Sequence, residues 1–461
     1  MIINIANKIH IPEVADYLMP ILAKELTHPN PLYLEAQASG RRLYGISPVI
    51  TNFEVDKKGG FHIPRGYLHR LCNITDELGI HLEVTDNRAI VPFTSTYGHI
   101  INLRDYQRRA IVGLSTYTDG LLVAPAGSGK TIIGISMILA CNQKCLWITH
   151  TKQLLNQFVD RVQQFLSVTA DDIGLIQNGV WDVDKPITAA LVQTLIRDIG
   201  TLETLANHFG TVIIDECHHS PSTTFTKIVN TLNPFYLYGL TATPDRRDGL
   251  EQIMFQNIGP VRHIIERVAV ADKIITPIII PKYINSAIPE SVEYGKLLTI
   301  LTNDEDRNRI IRDDVLKEAR AGNICIVATE RVAHVEILYD LIKPYWDNTV
   351  AVVGKHSDKV RDIALNALNS GEATVLICTS HLLGEGFDHA PLNRLFMCLP
   401  FRNIVRCEQL VGRVQRISPG KHDAIIIDYV DNHGLTKHQF HNFGGKPCRR
   451  AVYEHLNCII R

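Results

Sequence analysis

A strong net charge is the first thing this chain lacks. Its 461 residues carry 47 Lys and Arg against 48 Asp and Glu, a formal net charge of -1. No global basic excess draws it to a polyanion, and any nucleic-acid contact has to be a local groove. It also lacks an apolar run approaching the ~20 residues that cross a membrane. The opening residues MIINIANKIHIPEVADYLMP set charges and a proline among their apolar side chains, unlike a secretory signal. A soluble, cytoplasmic protein is expected. Ten cysteines run from Cys72 to Cys458, but the close pair Cys141 and Cys145 has no second pair at a zinc-site spacing. Free thiols follow. A hydrophobic share of 45% and a charged share of 21% are ordinary for a folded chain and exclude a disordered or fibrous class. At roughly 150 residues per domain the length suggests about three domains.

From about residue 105, short β-rich apolar runs alternate with amphipathic stretches: GLLVAP, KCLWITH, AALVQ, TVIIDE and LYGLTAT. After a stretch holding Pro260, Pro277 and Pro281 the alternation resumes with ICIVATE, NTVAVVG, TVLICTS, RLFMCLP and DAIIIDYV. Alternation of this kind predicts parallel α/β sheets, here two in tandem, joined near residues 266–280. The first 95 or so residues read differently, as a small α+β domain with a short strand pattern, an amphipathic helix and a proline-started helix near IPRGYL. The expected domains are 1–97, 98–267 and 268–461. Residues 435–461, rich in His, Lys and Arg, are assigned only a closing helix and tail.

Three motifs carry chemistry. Ala124-Pro125-Ala126-Gly127-Ser128-Gly129-Lys130-Thr131 follows the apolar run GLLVA and opens the helical run TIIGISMILA, the strand–loop–helix context of a phosphate-binding loop. Its glycines let backbone N–H groups turn onto phosphate oxygens, and the helix start adds its positive dipole end. Lys130 is expected to reach the β/γ-phosphates and Thr131 to hold magnesium. The bland alternative is a glycine-rich turn with an incidental lysine. Thr211-Val212-Ile213-Ile214-Asp215-Glu216-Cys217-His218 is an apolar strand ending in two acids. It places Asp215 beside a hard cation and leaves Glu216 to polarise the attacking water; taken alone, two acids after a strand are a common surface feature. In Gln409-Leu410-Val411-Gly412-Arg413-Val414-Gln415-Arg416, Arg413 and Arg416 are three apart on an expected helix and project from one face. There they either neutralise charge developing on a γ-phosphate or form a solvated basic face.

In this order the three motifs resemble a superfamily-two helicase, and the resemblance spans roughly residues 102–430. It implies two RecA-like lobes with ATP and Mg2+ held by Lys130, Thr131, Asp215 and Glu216 on one wall of a cleft and by Gln409, Arg413 and Arg416 on the other. Arg104-Asp105-Tyr106-Gln107 resembles the adenine-reading segment, with Gln107 on the base edge. Ala126, Gly127, Ser128 and Gly129 would cradle the phosphates. Thr149 to Gln153, including Thr151, and Val192-Gln193-Thr194 resemble first-lobe segments that hold the nucleic-acid backbone. Gly239-Leu240-Thr241-Ala242-Thr243-Pro244 resembles the coupling segment; His218 either hydrogen-bonds to Thr241–Thr243 and reports nucleotide state or is a merely structural buried histidine. Ile326-Val327-Ala328-Thr329 resembles the opening strand of the second lobe. Thr379-Ser380 and Gly384-Glu385-Gly386-Phe387-Asp388 resemble a segment touching both backbone and nucleotide.

Asp-Glu-Cys-His, GLTATPDRRDG and Gln409 look closer to XPB-like, RecG-like and UvsW-like DNA motors than to the Asp-Glu-Ala-Asp RNA helicases. The phrases NPLYLEA and IPRGYL, with the compact length, look most like the branch-migration helicases of tailed bacteriophages. The resemblance therefore implies a monomeric ATP-dependent motor acting on forked or branched DNA, cytoplasmic in the host bacterium. The N-terminal domain would set the substrate type by holding a duplex or junction arm, with Arg41, Arg42, Lys57, Lys58, Arg65 and Arg70 either as phosphate contacts or simply as solvated surface charges. Competing readings are an RNA helicase, a scaffold that has lost hydrolysis, and the motor subunit of a nuclease. The intact Lys130, Glu216, Arg413 and Arg416 argue against the scaffold.

Overall fold

The computed structural model describes residues 1–461 except 41, 94–100, 126, 220–221, 243–249, 268, 270–273, 355, 357, 385–390 and 442–447; at 219, 222, 223, 225, 358, 359, 384 and 405 only the backbone is described. The chain forms two compact units, Met1–Glu266 and Arg267–Arg461.

The first unit opens with alternating isoleucines. Ile3 and Ile5 on strand Ile2–Ile5, and Ile9 and Ile11 on strand Lys8–Ile11, all point to one face and are buried, as a period of two requires. The two strands sit in a five-stranded sheet in the order Glu54–Val55, Phe61–Pro64, Lys8–Ile11, Ile2–Ile5, Glu83–Asp86. Helices Met19–Glu25 and Leu68–Glu77 contribute Leu22, Leu71 and Ile74 to its core. This subdomain is fastened to the rest of the unit by buried polar contacts. Arg65, 1% exposed, donates to the carbonyls of Pro234 and Phe235 at 2.5 and 3.1 Å. Gln256 donates to the Glu25 carbonyl at 3.0 Å and accepts from Asn52 at 2.8 Å.

The remainder of the first unit is built on an eight-stranded sheet among the described residues. Its order is Val180–Trp181, Ile173–Gln177, Ile187–Leu191, Cys145–Thr149, Thr211–Asp215, Tyr236–Thr241, Asp119–Val123, Val261–Ile264, parallel except for the first pair. Both faces are covered, so its central strands are buried at nearly every residue, the burial expected of a parallel sheet. Helix Lys130–Cys141 lies close enough that a Cβ on Gly134 would meet the Trp147 ring at 2.5 Å.

In the second unit seven parallel strands are described in the order Thr349–Val352, Val375–Thr379, Cys325–Thr329, Arg394–Met397, Ile425–Asp431, Ile278–Ile284, Ile459–Ile460. The proline-marked stretch taken as a joint thus contributes an inner strand, Ile278–Ile284. Ile278 N bonds to the Ala424 carbonyl, so alternation turns the nitrogen of Pro281 toward the edge strand, whose pairing ends at Ile279. A proline there forfeits no ladder bond. Residues 435–461 are more than a tail. Helix Arg449–His455 buries Arg449, which forms a two-pronged ion pair with Asp428 at 2.8 and 2.9 Å, and Tyr453 donates to the same carboxylate at 2.7 Å. No helix among the described residues is long and apolar enough to cross a membrane.

Candidate nucleotide site

Three adjacent parallel strands of the first unit end at one level: Asp215 pairs with Leu240, and Thr241 with Val123. Carboxyl ends of parallel strands are where an open α/β sheet offers a crevice. There the chain turns from Val123 into helix Lys130–Cys141 through Gly127 at φ +82° and Gly129 at φ +81°, a left-handed backbone that glycine adopts without penalty. Ser128 is fully buried, and its hydroxyl finds no hydrogen-bond partner among the described residues. That is an orphaned donor inside a tight glycine turn.

The segment before the loop is tied to it. Tyr106 Oη and Gln107 Nε2 both donate to the Ser128 carbonyl, at 3.1 and 2.9 Å, and Arg104 donates to Tyr106 Oη at 2.9 Å. Gln107 Oε1 accepts from Arg104 N at 3.0 Å, and the residue is 3% exposed. Expected at a base edge, Gln107 instead spends its amide on the loop backbone.

Lys130 Nζ lies 3.2 Å from Glu216 Oε1 and 3.3 Å from the Ala124 carbonyl. Glu216 sits at φ +47°, a conformation costly for a side-chain-bearing residue and characteristic of functional turns. Asp215 Oδ1 accepts from Glu216 N at 3.0 Å. Burial first, and the neighbouring Glu216 charge second, push the Asp215 carboxyl well above the usual carboxylate range; Lys130 and His150 oppose the shift. Two adjacent carboxylates, one of them buried, are a donor set that a hard divalent cation suits, with the Thr131 hydroxyl in the first turn of the helix. His218 Nδ1 is 2.8 Å from Thr241 Oγ1 and 3.5 Å from Glu216 Oε2, joining the acid pair to the end of the neighbouring strand. Ala126, Thr243, Gly386 and Asp388 lie outside the described residues.

The remaining candidates divide by burial. Gln193 is exposed and donates to the His150 carbonyl at 2.6 Å, while Thr151 caps helix Lys152–Leu166 by accepting from Leu154 N at 3.3 Å. Thr194 is 9% exposed. In the second unit Thr379 is half-buried at its strand end. Thr329 is 1% exposed and its hydroxyl is 2.7 Å from His334 Nδ1, so the side chain expected on nucleic acid is instead spent inside the unit. Ser380, 2% exposed, is likewise committed: it donates to Glu330, which Arg406 also engages at 2.7 Å. This Glu330–Ser380–Arg406 cluster escaped sequence reasoning, although an acid directly after the run ICIVAT was the available signal. Arg65, expected on phosphate, is buried against carbonyls instead, and Arg70 is paired with Glu25 at 2.6 Å; Arg42, Lys57 and Lys58 are exposed.

Gln409 and Arg413 lie on helix Ile404–Val414, but the helix stops before Arg416. Arg416 forms an isolated bridge with Ile274, the Gln415 carbonyl accepts from Ile275 N at 2.7 Å, and buried Lys421 donates to the Val414 and Arg416 carbonyls at 2.6 and 2.7 Å. The two arginines therefore do not share one helical face.

Two family models match the chain: the type III restriction enzyme res subunit over residues 100–246 and the helicase conserved C-terminal domain over residues 306–418. A protein of Acanthamoeba polyphaga mimivirus assigned as an ATP-dependent RNA helicase is 26% identical over 342 residues, covering 71% of this chain; the chain spans 64% of that relative's length, just under two thirds. The ATP-dependent DNA helicase uvsW of Enterobacteria phage T4 is 23% identical over 378 residues, covering 77% of this chain and 72% of the relative. Among solved structures, a fragment of an HsdR subunit of a type I restriction enzyme from Vibrio vulnificus shares the fold at a TM-score of 0.57 and 17% identity, covering 95% of this chain and 82% of that one. The chain belongs to the superfamily-two helicases and is related to the phage helicase uvsW.

Proposed function

We propose that this chain is an ATP- and Mg2+-dependent DNA motor that steps along the backbone and acts on forked or branched DNA as a monomer. The observation that carries the reading is the Lys130–Glu216 contact of 3.2 Å beside buried Asp215, with His218 joined to Thr241. In this reading Lys130 binds the β/γ-phosphates, and Glu216 orients the attacking water and takes its proton. Mg2+ held by Thr131 and Asp215 would neutralise charge on the phosphate oxygens. Arg413 and Arg416 are assigned the same role in the transition state. When the γ-phosphate leaves, Lys130 loses its partner and Glu216 the water it oriented, and the His218–Thr241 bond relays that change to the next strand end. Stepping rests on contacts to phosphate and sugar, so little sequence preference is expected. Gln193, Thr379 and the exposed Arg42, Lys57 and Lys58 are the contacts proposed.

DNA is favoured by the Asp-Glu-Cys-His and Gln409 motifs and by the phage T4 relative. The mimivirus relative, assigned as an RNA helicase, keeps RNA as the second reading. The test is the ATPase rate with single-stranded DNA, duplex, fork, four-way junction and matched RNA, all at one salt concentration, because backbone affinity depends steeply on salt. Strongest stimulation by fork or junction is expected. Stimulation by RNA alone would overturn the DNA assignment, and a 2′-hydroxyl requirement would explain it.

A further inference from the structure

On the N-terminal sheet one face is packed by isoleucines, and the opposite face carries a row of polar side chains. The register runs Asn4 to His10 to His62 to Glu54 across four strands. His10 and His62 are direct cross-strand neighbours with rings stacked at 4.3 Å and 11° apart. Their Nε2 atoms both lie 3.4 Å from Asp56 Oδ2. Among the described residues these three are within 4.8 Å of one another through one ligand atom each.

The spacing is informative. At 3.4 Å the contacts are longer than a good N–H···O bond of about 2.7–3.2 Å, and His10 Nε2 is shielded from solvent with no hydrogen-bond partner among the described residues. Two ligand atoms held about 2.0–2.1 Å from a tetrahedral centre, however, stand about 3.3–3.4 Å apart; the stacked imidazoles would turn about their Cβ–Cγ bonds to aim both Nε2 lone pairs at one ion. The Asp56 carboxylate is already oriented, because its Oδ1 accepts from Lys58 N and Gly60 N at 2.8 and 2.9 Å, leaving Oδ2 directed at both imidazoles. Such outer bonds to a ligand carboxylate are what fix metal ligands in place. Gly60 supplies the room. A Cβ there would stand 2.5 Å from Asp56 Oδ2 and 2.8 Å from His10 Nε2. The cluster borders a cavity of about 500 Å³ that is also lined by Asn4, Lys8, Glu54 and Asn230.

We propose that His10, Asp56 and His62 form a zinc(II) site, with the fourth coordination position open to this cavity and taken by water. Two imidazoles and one carboxylate suit zinc, and three protein ligands leave one position free. The ion cross-links two strands and the turn at 56–60, beside the point where the Asn7 side chain donates to the Asn230 carbonyl.

The test uses the full chain with any affinity tag removed, titrated with Zn2+ against a chromogenic chelator. One zinc per chain is expected. His10→Gln and His62→Gln should lose it, and Gly60→Ala, which keeps all three ligands, should weaken it about 10–100-fold, the range for a disturbed outer shell. Circular dichroism checks that each variant is folded. The ten cysteines are the competing ligands, so the cobalt(II)-loaded chain should show visible d–d bands without thiolate-to-metal charge transfer. No stoichiometric zinc in the wild type, unaltered zinc binding in both histidine variants, or a thiolate signature would each overturn the assignment.

Discussion

Lys130 and Glu216 are held 3.2 Å apart by a turn that strains Glu216 to φ +47°, and single substitutions read this geometry directly. Lys130→Ala removes the ammonium proposed to bind phosphate and should abolish ATP binding and turnover together, as equilibrium binding of a fluorescent ATP analogue would register. Thr241→Val keeps the volume but removes the hydroxyl that His218 engages; ATP affinity should persist while stimulation by DNA falls. A second histidine titrates usefully. His334 is buried between Thr329 and Asn308, and burial pulls its pKa down to about 3. Because the folded form binds its proton less readily than the unfolded chain, its contribution is fully present above about pH 6.5 and drains away as pH falls toward 3. Urea midpoints measured between pH 7 and 5 should decline, and His334→Gln should flatten that decline.

At the scale of elements, the central strands were legible because parallel strands buried on both faces are apolar runs: CLWIT, TVIID, CIVAT and VLICT all sit where the patterns placed them. Strand Ile278–Ile284 was hidden by Pro281, whose tolerance depends on how far a distant edge strand pairs. The end of helix Ile404–Val414 was equally invisible, since Ile275 and Lys421 impose it from elsewhere in the chain. Arg65 reads in sequence like any surface arginine; only the carbonyls of Pro234 and Phe235 make it a structural anchor. The strand, glycine turn and helix around Gly127 and Gly129 were legible because their geometry is local, whereas the burial of Thr329 and Ser380 depends on His334, Glu330 and Arg406. The helix behind the loop can be probed at its close contact with the sheet. Gly134→Val would drive a branched side chain into Trp147, destabilising the first unit by about 1–3 kcal/mol and raising KM for ATP, measurable by thermal melting and steady-state kinetics.

Across the whole molecule, the two units have separate cores and separate buried ion pairs. Arg449 and Asp428 are 2% and 1% exposed, and removing one partner strands a buried charge at a cost of about 3–5 kcal/mol. Arg449→Met should therefore lower the unfolding temperature of the second unit in calorimetry and leave the transition of the first in place. A formal charge of -1 gives the chain no long-range pull on DNA, so association should be slower than for a strongly basic protein.

Glu216 is central to the proposed motor as the residue that activates water rather than one that binds ATP. The decisive measurement is the fork-stimulated ATPase rate of Glu216→Gln beside the wild type, with ATP affinity determined on the same samples. Loss of a positioned general base predicts a fall of about 10²–10⁴-fold in turnover with ATP still bound. Turnover close to that of the wild type would contradict the assignment of this site.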